Sequence, residues 1–195
     1  QDEVLFRLSG SIQRQEMKSA DRDAPQDRIT TSEAIAEIEI TVDADGNPPD
    51  DQLITNDGLN KVRDGWTGAG NPDIDTITVG DDAASLSRSN SALRNQTNSA
   101  STGQSLDGFT DVIFTASITQ TDVQEIGLET SDGTLFSRVI FDTPVDLDGD
   151  VVYTLSVNNG TDSERSILTQ NGRQEVRNVI ADNDPALPEN YAYGS

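Results

Sequence analysis

Cysteine and histidine are both absent from this chain of 195 residues. Without cysteine there is no disulfide framework, no thiolate metal site and no thiol nucleophile. The lack of histidine excludes Ser-His-Asp and Cys-His catalysis, imidazole-ligated zinc, and the side chain most often used for proton transfer near neutral pH. The sequence therefore predicts a protein that binds and assembles and not an enzyme, and it predicts no cofactor.

Positive charge is also scarce, because 13 basic residues face 35 acidic ones and the formal net charge is -22. Nucleic acid is not an expected partner, since binding it depends on phosphate neutralisation by Lys and Arg. Lys18 and Lys61 are the only lysines, and Asp outnumbers Glu 25 to 10. Short carboxylates keep a surface hydrated at low water activity, and 1 M salt, with a Debye length of about 3 Å, screens their repulsion. We interpret this composition as adaptation to high salt; an ordinary acidic secreted or virion protein is the alternative.

Long hydrophobic runs are missing as well. No stretch approaches the roughly 18–20 apolar residues that cross a bilayer, and the N-terminus has no basic region followed by an apolar one. The sequence thus predicts no membrane partner. Only 33% of the residues are hydrophobic, but Val, Ile and Leu recur in short spaced bursts. This spacing favours one main folded core over wholesale disorder.

Turn-forming residues divide the chain. A run of Asp, Asn, Gly and Pro over Asp43–Asp51 breaks regular structure and predicts a boundary near residue 52. Before it, Ile38, Ile40 and Val42 alternate with polar residues, as in a half-buried strand. We therefore expect a strand-containing N-terminal segment at 1–52, a β domain at 53–159 and a C-terminal segment with an extended tail at 160–195.

One short helix is predicted at the start of the central domain. Thr55 can act as its N-cap, and Leu59, Val62 and Trp66 follow at helical spacing. Asp57 lies near the positive end of the helix dipole. This pattern places Trp66, the sole tryptophan, in the core and not on a binding platform.

Short apolar runs dominate the second half of the domain. They are separated by turn signals such as Ser131-Asp132-Gly133, at spacings typical of a sandwich or barrel. We predict strands within 112–118, 125–129, 134–141 and 151–157, a long surface loop over 83–108, and a final strand or amphipathic segment within 160–181. The predicted fold class is mostly β: an antiparallel β-sandwich with one short helix and extended terminal segments.

The central domain resembles the tail-collar or tail-fibre family of tailed viruses, whose members attach fibres or form baseplate parts. The resemblance covers residues 53–159 and lies in the order of several short segments along the chain. They are Ile54-Thr55-Asn56-Asp57-Gly58-Leu59, Ile77-Thr78-Val79-Gly80, Ala92-Leu93-Arg94-Asn95, Val112-Ile113-Phe114-Thr115-Ala116, Glu125-Ile126-Gly127-Leu128 and Gly133-Thr134-Leu135-Phe136-Ser137-Arg138-Val139.

This resemblance implies a homo-oligomer, usually a trimer, that docks to other virion proteins. Combined with the acidic composition, it suggests a structural virion protein of a virus of a halophilic archaeon, acting in the tail fibre or baseplate during host attachment. A host surface glycan or surface-layer protein is then a possible partner. Two alternatives remain open: a capsid decoration or turret protein, and an extracellular adhesin-like or glycan-cleaving domain.

Two aspartate-rich stretches resemble partial calcium loops, because alternating carboxylates can point at one hard cation. One includes Asp43, Asp45 and Asn47, and the other spans Asp146–Asp150. Neither has an acidic residue at the twelfth loop position, where Ile54 and Val157 stand. We therefore interpret both as plain turns and assign no metal site, with the carboxylates of the second stretch as the candidates to check. These are Asp146, Asp148 and Asp150.

Close pairs of acids could form a glycosidase-like acid and nucleophile. Asp132 with Glu129, and Asp148 with Asp150, are such pairs. Aspartate is so dense in this chain that close pairs arise by chance, so we assign no catalytic residue.

Four residues are candidates for modification or contact. Asn95 and Asn159 head glycosylation acceptor patterns, Asn95-Gln96-Thr97 and Asn159-Gly160-Thr161. Tyr191 and Tyr193 near the C-terminus are candidates to anchor a partner, because aromatic residues on extended segments often do so; a disordered or merely packed tail is the alternative.

The acidic composition predicts a protein that gains stability with salt. Screening lowers the repulsion among surface carboxylates in the folded state, so the Tm is expected to rise steadily from 0.1 to 3 M KCl. Thermal unfolding followed by circular dichroism across this series measures the effect. A Tm that stays level or falls contradicts the high-salt interpretation.

Overall fold

A computed structural model describes residues 4–6, 36–44, 49–158 and 169–181. All strand pairs in these ranges are antiparallel and belong to one sheet, and the mostly β prediction is confirmed. The elements, in chain order, are β1 (Val4–Phe6), β2 (Ala36–Asp43), β3 (Asp51–Ile54), α1 (Asn56–Trp66), β4 (Ile74–Gly80), β5 (Gln96–Ser101), β6 (Gly103–Asp107), β7 (Asp111–Thr130), β8 (Leu135–Asn158) and α2 (Gln170–Ile180).

A long hairpin of β7 and β8 is the frame of the sheet. Its tight turn lies at Ser131-Asp132-Gly133, as predicted, and Gly133 there has a φ of 79°. The turn expected at Asp146–Asp150 is wrong, because this stretch continues β8 and Gly149 pairs with Ile118 across the hairpin. Ladder hydrogen bonds to β7 outweigh the local turn preference of Asp-Gly, so two long strands replace the four short ones expected.

The hairpin folds back on itself near its middle. The register shifts around Val123, and Asp122 has a φ of 57°. The Ser137 and Tyr153 hydroxyls are hydrogen-bonded at 2.8 Å although 16 positions separate them on β8. A straight strand would hold them about 53 Å apart at 3.3 Å per residue. The two halves of one sheet therefore face each other, where two separate sheets of a sandwich were predicted.

The main core lies between these halves. On the first half of β7, Val112, Phe114, Ala116 and Ile118 are buried at alternate positions. This is the period of two that puts one face of a strand against a core. Burial raises the pKa of Tyr153, so its hydroxyl stays protonated and can serve the hydrogen bond to Ser137.

A second helix, α2, covers part of this core, and the prediction of a single helix is wrong. Thr169 caps its first turn by accepting from the Gly172 N–H at 3.1 Å. Val176 and Ile180, four positions apart, are both fully buried in the main cluster. Polar residues surround these two apolar positions, so the sequence pattern there does not distinguish a helix from a strand.

Helix α1 begins and ends as predicted. The Thr55 hydroxyl accepts from the Gly58 N–H at 2.9 Å and donates to the Leu135 carbonyl at 2.6 Å. Gly58 allows the helix to lie against β8, because a Cβ there would be 2.2 Å from the Phe136 carbonyl oxygen. The prediction that Trp66 is a core residue is wrong, since it is 38% exposed.

The neighbouring glycine explains the exposure of Trp66. A Cβ on Gly65 would be 2.4 Å from Val179, so Gly65 is the position at which α1 and α2 make their close approach. Trp66, one position on, is turned about 100° away from that contact.

Residues 83–108 are not one long loop, because they contain β5 and β6. β5 pairs with β4, and β6 pairs with the first half of β7. Most of their residues are exposed polar residues, so no alternation of apolar and polar positions predicted them. The described part of the N-terminal segment joins the same sheet, since β2 pairs with the last third of β8.

The hydrogen bond between Ser137 and Tyr153 predicts a coupling between the two halves of the sheet. Tyr153→Phe leaves the Ser137 hydroxyl buried without its partner and is expected to cost about 1–3 kcal/mol. Adding Ser137→Ala should restore part of this loss. Urea unfolding of both single variants and of the double variant measures the coupling energy. Strictly additive losses contradict the contact.

Candidate interaction surface

A buried ion pair lies on the second half of the hairpin. The Arg138 Nε donates to Glu125 Oε2 at 2.7 Å, and both side chains are completely buried. Glu125 belongs to β7 and Arg138 to β8. A buried charge is tolerated when it is paired and its remaining hydrogen-bonding groups find partners. The hydrogen-bond partners of the two side chains therefore show what keeps these charges in place.

Those partners come mainly from the segment between β4 and β5. Arg138 Nη1 donates to the Asn90 side-chain oxygen at 3.2 Å, and Nη2 donates to the Asp82 carbonyl at 3.3 Å. The Glu125 carboxylate accepts from the Asn95 N–H at 2.9 Å and from the Arg94 N–H at 3.2 Å. The ion pair thus holds a connecting segment by contacts at both of its ends.

The backbone around the pair leaves no spare room. A Cβ on Gly80 would lie 2.5 Å from the Asn95 carbonyl oxygen and 2.6 Å from Glu125 Oε1. Four buried apolar side chains outside the main cluster belong to this part of the fold: Leu53, Leu93, Leu135 and Ile140. Since neither solvent nor a substrate reaches the two charges, their role is structural. They position Arg94 and Asn95, the residues that lead into β5.

Two stretches of the chain carry no charge. No charged residue occurs between Arg94 and Asp107, or between Asp111 and Asp122, in a chain that is 25% charged. The first stretch contains β5 and most of β6, and the second contains most of the first half of β7. Their exposed residues do not form one surface, because successive side chains on a strand point to opposite sides of the sheet and β5 and β6 belong to different halves of it.

Two hydrogen bonds join the β5–β6 strands to β7. The Asn98 side chain donates to the Thr119 carbonyl at 3.5 Å, and the Thr102 hydroxyl donates to the Thr115 carbonyl at 3.0 Å. Carboxylates lie beside the exposed residues of β7, because Asp148 on β8 pairs with Thr119 in the ladder and Asp150 pairs with Ser117. The exposed side of this half of the hairpin therefore carries both hydroxyl groups and carboxylates.

The calcium candidates lie on this exposed side of β8. Asp146, Asp148 and Asp150 are exposed at alternate positions of β8, and the Asp146 carboxylate accepts from the Asp122 N–H at 3.0 Å. Among the described residues, no group of three or more acidic side chains is arranged to hold a metal ion. Of the first aspartate stretch, residues 45–48 lie outside the described residues.

Glu129 and Asp132, the acidic pair at the hairpin turn, have pKa values that are shifted in opposite directions. Asp132 is held by the Lys61 ammonium at 2.5 Å and by the Thr130 and Thr134 hydroxyls, and these hydrogen bonds lower its pKa. Partial burial, with the nearby Asp75 charge, raises the pKa of Glu129. The contacts of Asp132 are those of a residue that fixes a turn and anchors it to α1.

Of the modification and contact candidates, the structure describes Asn95. Its side chain is exposed, and its Nδ2, the atom that glycosylation would modify, donates to Asp81 at 2.5 Å. Asn159, Tyr191 and Tyr193 lie outside the described residues.

Loss of one ion-pair partner should destabilise the fold strongly. Arg138→Met leaves the Glu125 carboxylate buried without its cation, which is expected to cost about 3–5 kcal/mol. The double variant Glu125→Gln/Arg138→Met should lose less, because no unpaired charge remains. Chemical unfolding in 2 M KCl measures all variants.

A matched control is Arg63→Met, which removes a side chain that is 61% exposed and pairs with Asp64. Its effect should be small, since exposed pairs contribute little. Equal losses for Arg63→Met and Arg138→Met contradict the structural role of the buried pair.

No helix within the described ranges is long and apolar enough to cross a membrane.

No family model matches this chain, and neither a curated protein nor a solved structure matches it. The family resemblance therefore stays a prediction.

Proposed function

We propose that this protein is a structural component of the tail fibre or baseplate of a halophilic tailed virus. It assembles as a homo-oligomer, a trimer by the family resemblance, and mediates attachment to the host. The proposal rests on one observation: three of the segments that carry the resemblance meet at one buried ion pair. Glu125, Arg138 and the backbone of Arg94 and Asn95 belong to these three segments and are joined by hydrogen bonds.

Further contacts join two of the remaining segments to these. Thr55, at the start of α1, bonds the carbonyl of Leu135, 80 positions away. Val79 of β4 pairs with Ile126 of β7. The segments therefore belong to one folded unit, which a single domain of this family requires.

The distribution of charge supports a particle exposed to brine. Carboxylates are exposed along the strands and turns, including Asp107, Asp142 and Asp148. The buried Arg138 is neutralised inside the fold by Glu125 and adds little positive charge to the surface. Hydrated carboxylates keep a protein soluble where salt screens their repulsion.

The mechanism is binding without chemistry on a substrate. Copies of the domain bury strand edges and apolar faces against each other, and polar loops face outward, toward neighbouring virion proteins or a host glycan or surface-layer protein. The completely buried pair of Glu125 and Arg138 is used for folding.

Antibody labelling of intact virus particles tests the location. Gold-labelled antibodies raised against the protein should mark the tail tip in electron micrographs, because a fibre or baseplate component lies there. Preimmune serum is the control. Labelling spread over the shell contradicts the tail assignment and favours a capsid decoration or turret protein, and particles without label contradict a virion component.

A further inference from the structure

We infer that Arg173 and Arg177 form a binding site for a small monovalent anion, which is chloride when the protein is in brine. The inference is independent of the proposed function, since it concerns how the fold uses salt and not where the protein lies in a particle. Both arginines belong to α2, which covers part of the main core.

Arg177 is a buried cation whose hydrogen-bond partners are neutral. Its side chain belongs to a residue that is only 6% exposed. Nη1 donates to the Gly108 carbonyl at 2.6 Å, and Nε and Nη2 donate to the Asn178 side-chain oxygen at 3.2 and 2.6 Å. A guanidinium has five N–H groups, so one remains on each terminal nitrogen. Because a buried charge is costly unless an opposite charge accompanies it, this group favours an anion.

Arg173, one helical turn earlier, adds a second positive charge on the same side of α2. Its Nε is buried and donates to no acceptor in the part of the chain that the structure describes. Side chains four positions apart on a helix are neighbours, and two like charges at this spacing repel each other. An anion in contact with both guanidinium groups replaces this repulsion by attraction.

The described carboxylates do not contact these two arginines. Within the described ranges, neither has a carboxylate oxygen within 4.0 Å, whereas three other cations do: Lys61, Arg63 and Arg138. Asp107 and Asp111 flank the turn at Gly108, but Asp111 Oδ1 accepts from the Thr110 hydroxyl at 2.6 Å. The first turn of α2 contains no acidic residue either, although this end of a helix dipole favours negative charge. A dissolved anion can supply the negative charge that the site favours.

The geometry and the solvent both favour chloride. An acceptor that reaches the buried Nε of Arg173 has to be small, and a monatomic ion can accept from N–H groups in any direction. At 1 M salt the Debye length is about 3 Å, so the charges of Asp107 and Asp111 repel such an ion weakly. Weak affinity is sufficient where the ion is molar, because binding to the folded state stabilises it by mass action. Since Arg177 also contacts the β6–β7 turn, the bound ion would help to hold α2 on the sheet.

Thermal unfolding in two potassium salts tests the site. The measured quantity is the Tm in 2 M KCl minus the Tm in 2 M potassium gluconate, whose bulky anion does not fit. General effects of the two salts on the surface are common to all variants and cancel when variants are compared. We expect this difference to be higher in the wild type than in Arg173→Gln by roughly 3–5 °C, if chloride is at about ten times its dissociation constant. Arg173→Gln removes no described side-chain hydrogen bond, so it decides the question even if Arg177→Gln fails to fold.

The matched control is Arg94→Gln, which removes the same charge from an exposed side chain and keeps the backbone N–H bond to Glu125. It should retain the wild-type difference. Chlorine-35 NMR in KCl is the second measurement, and the wild type should broaden the chloride line more than Arg173→Gln does. Loss of the Tm difference in Arg94→Gln as well would mean that chloride responds to net charge, which overturns the site. A wild-type difference in Arg173→Gln, or equal line widths for the two proteins, also overturns it.

Discussion

The buried ion pair of Glu125 and Arg138 is the interaction on which the rest of the structure depends. It joins the two long strands and holds the segment that connects β4 to β5. Removing one charge would leave the other without solvent or partner, which is why such a pair constrains its surroundings more than an apolar contact would. The position of β5 follows from this constraint.

Because one hairpin is bent, the chain can form its core from few apolar residues. Since β7 and β8 fold back, the two halves of the same sheet bury each other, and Ser137 meets Tyr153 across the core. The helices then cover what the strands leave open, with Val176 and Ile180 of α2 in the main cluster. A chain that is 33% hydrophobic thereby forms a continuous core.

Charge is unevenly distributed along the strands. Exposed carboxylates lie on β8 around Asp148, whereas the exposed residues of β5 and of the first half of β7 are hydroxyl and amide side chains. Under the proposed function, the carboxylates keep the protein hydrated where salt screens their repulsion.

Local patterns determined a good part of this structure. Thr55 and the helix to Trp66, the turn at Gly133 and the mostly β class followed from capping, spacing and turn chemistry, which act within a few residues. The β5 and β6 strands, the continuation of β8 through Gly149 and the exposure of Trp66 did not, because they depend on partners far along the chain. The two charges of the ion pair were visible among apolar neighbours, but only the antiparallel register and the bend could bring Arg138, Glu125 and Asn95 together.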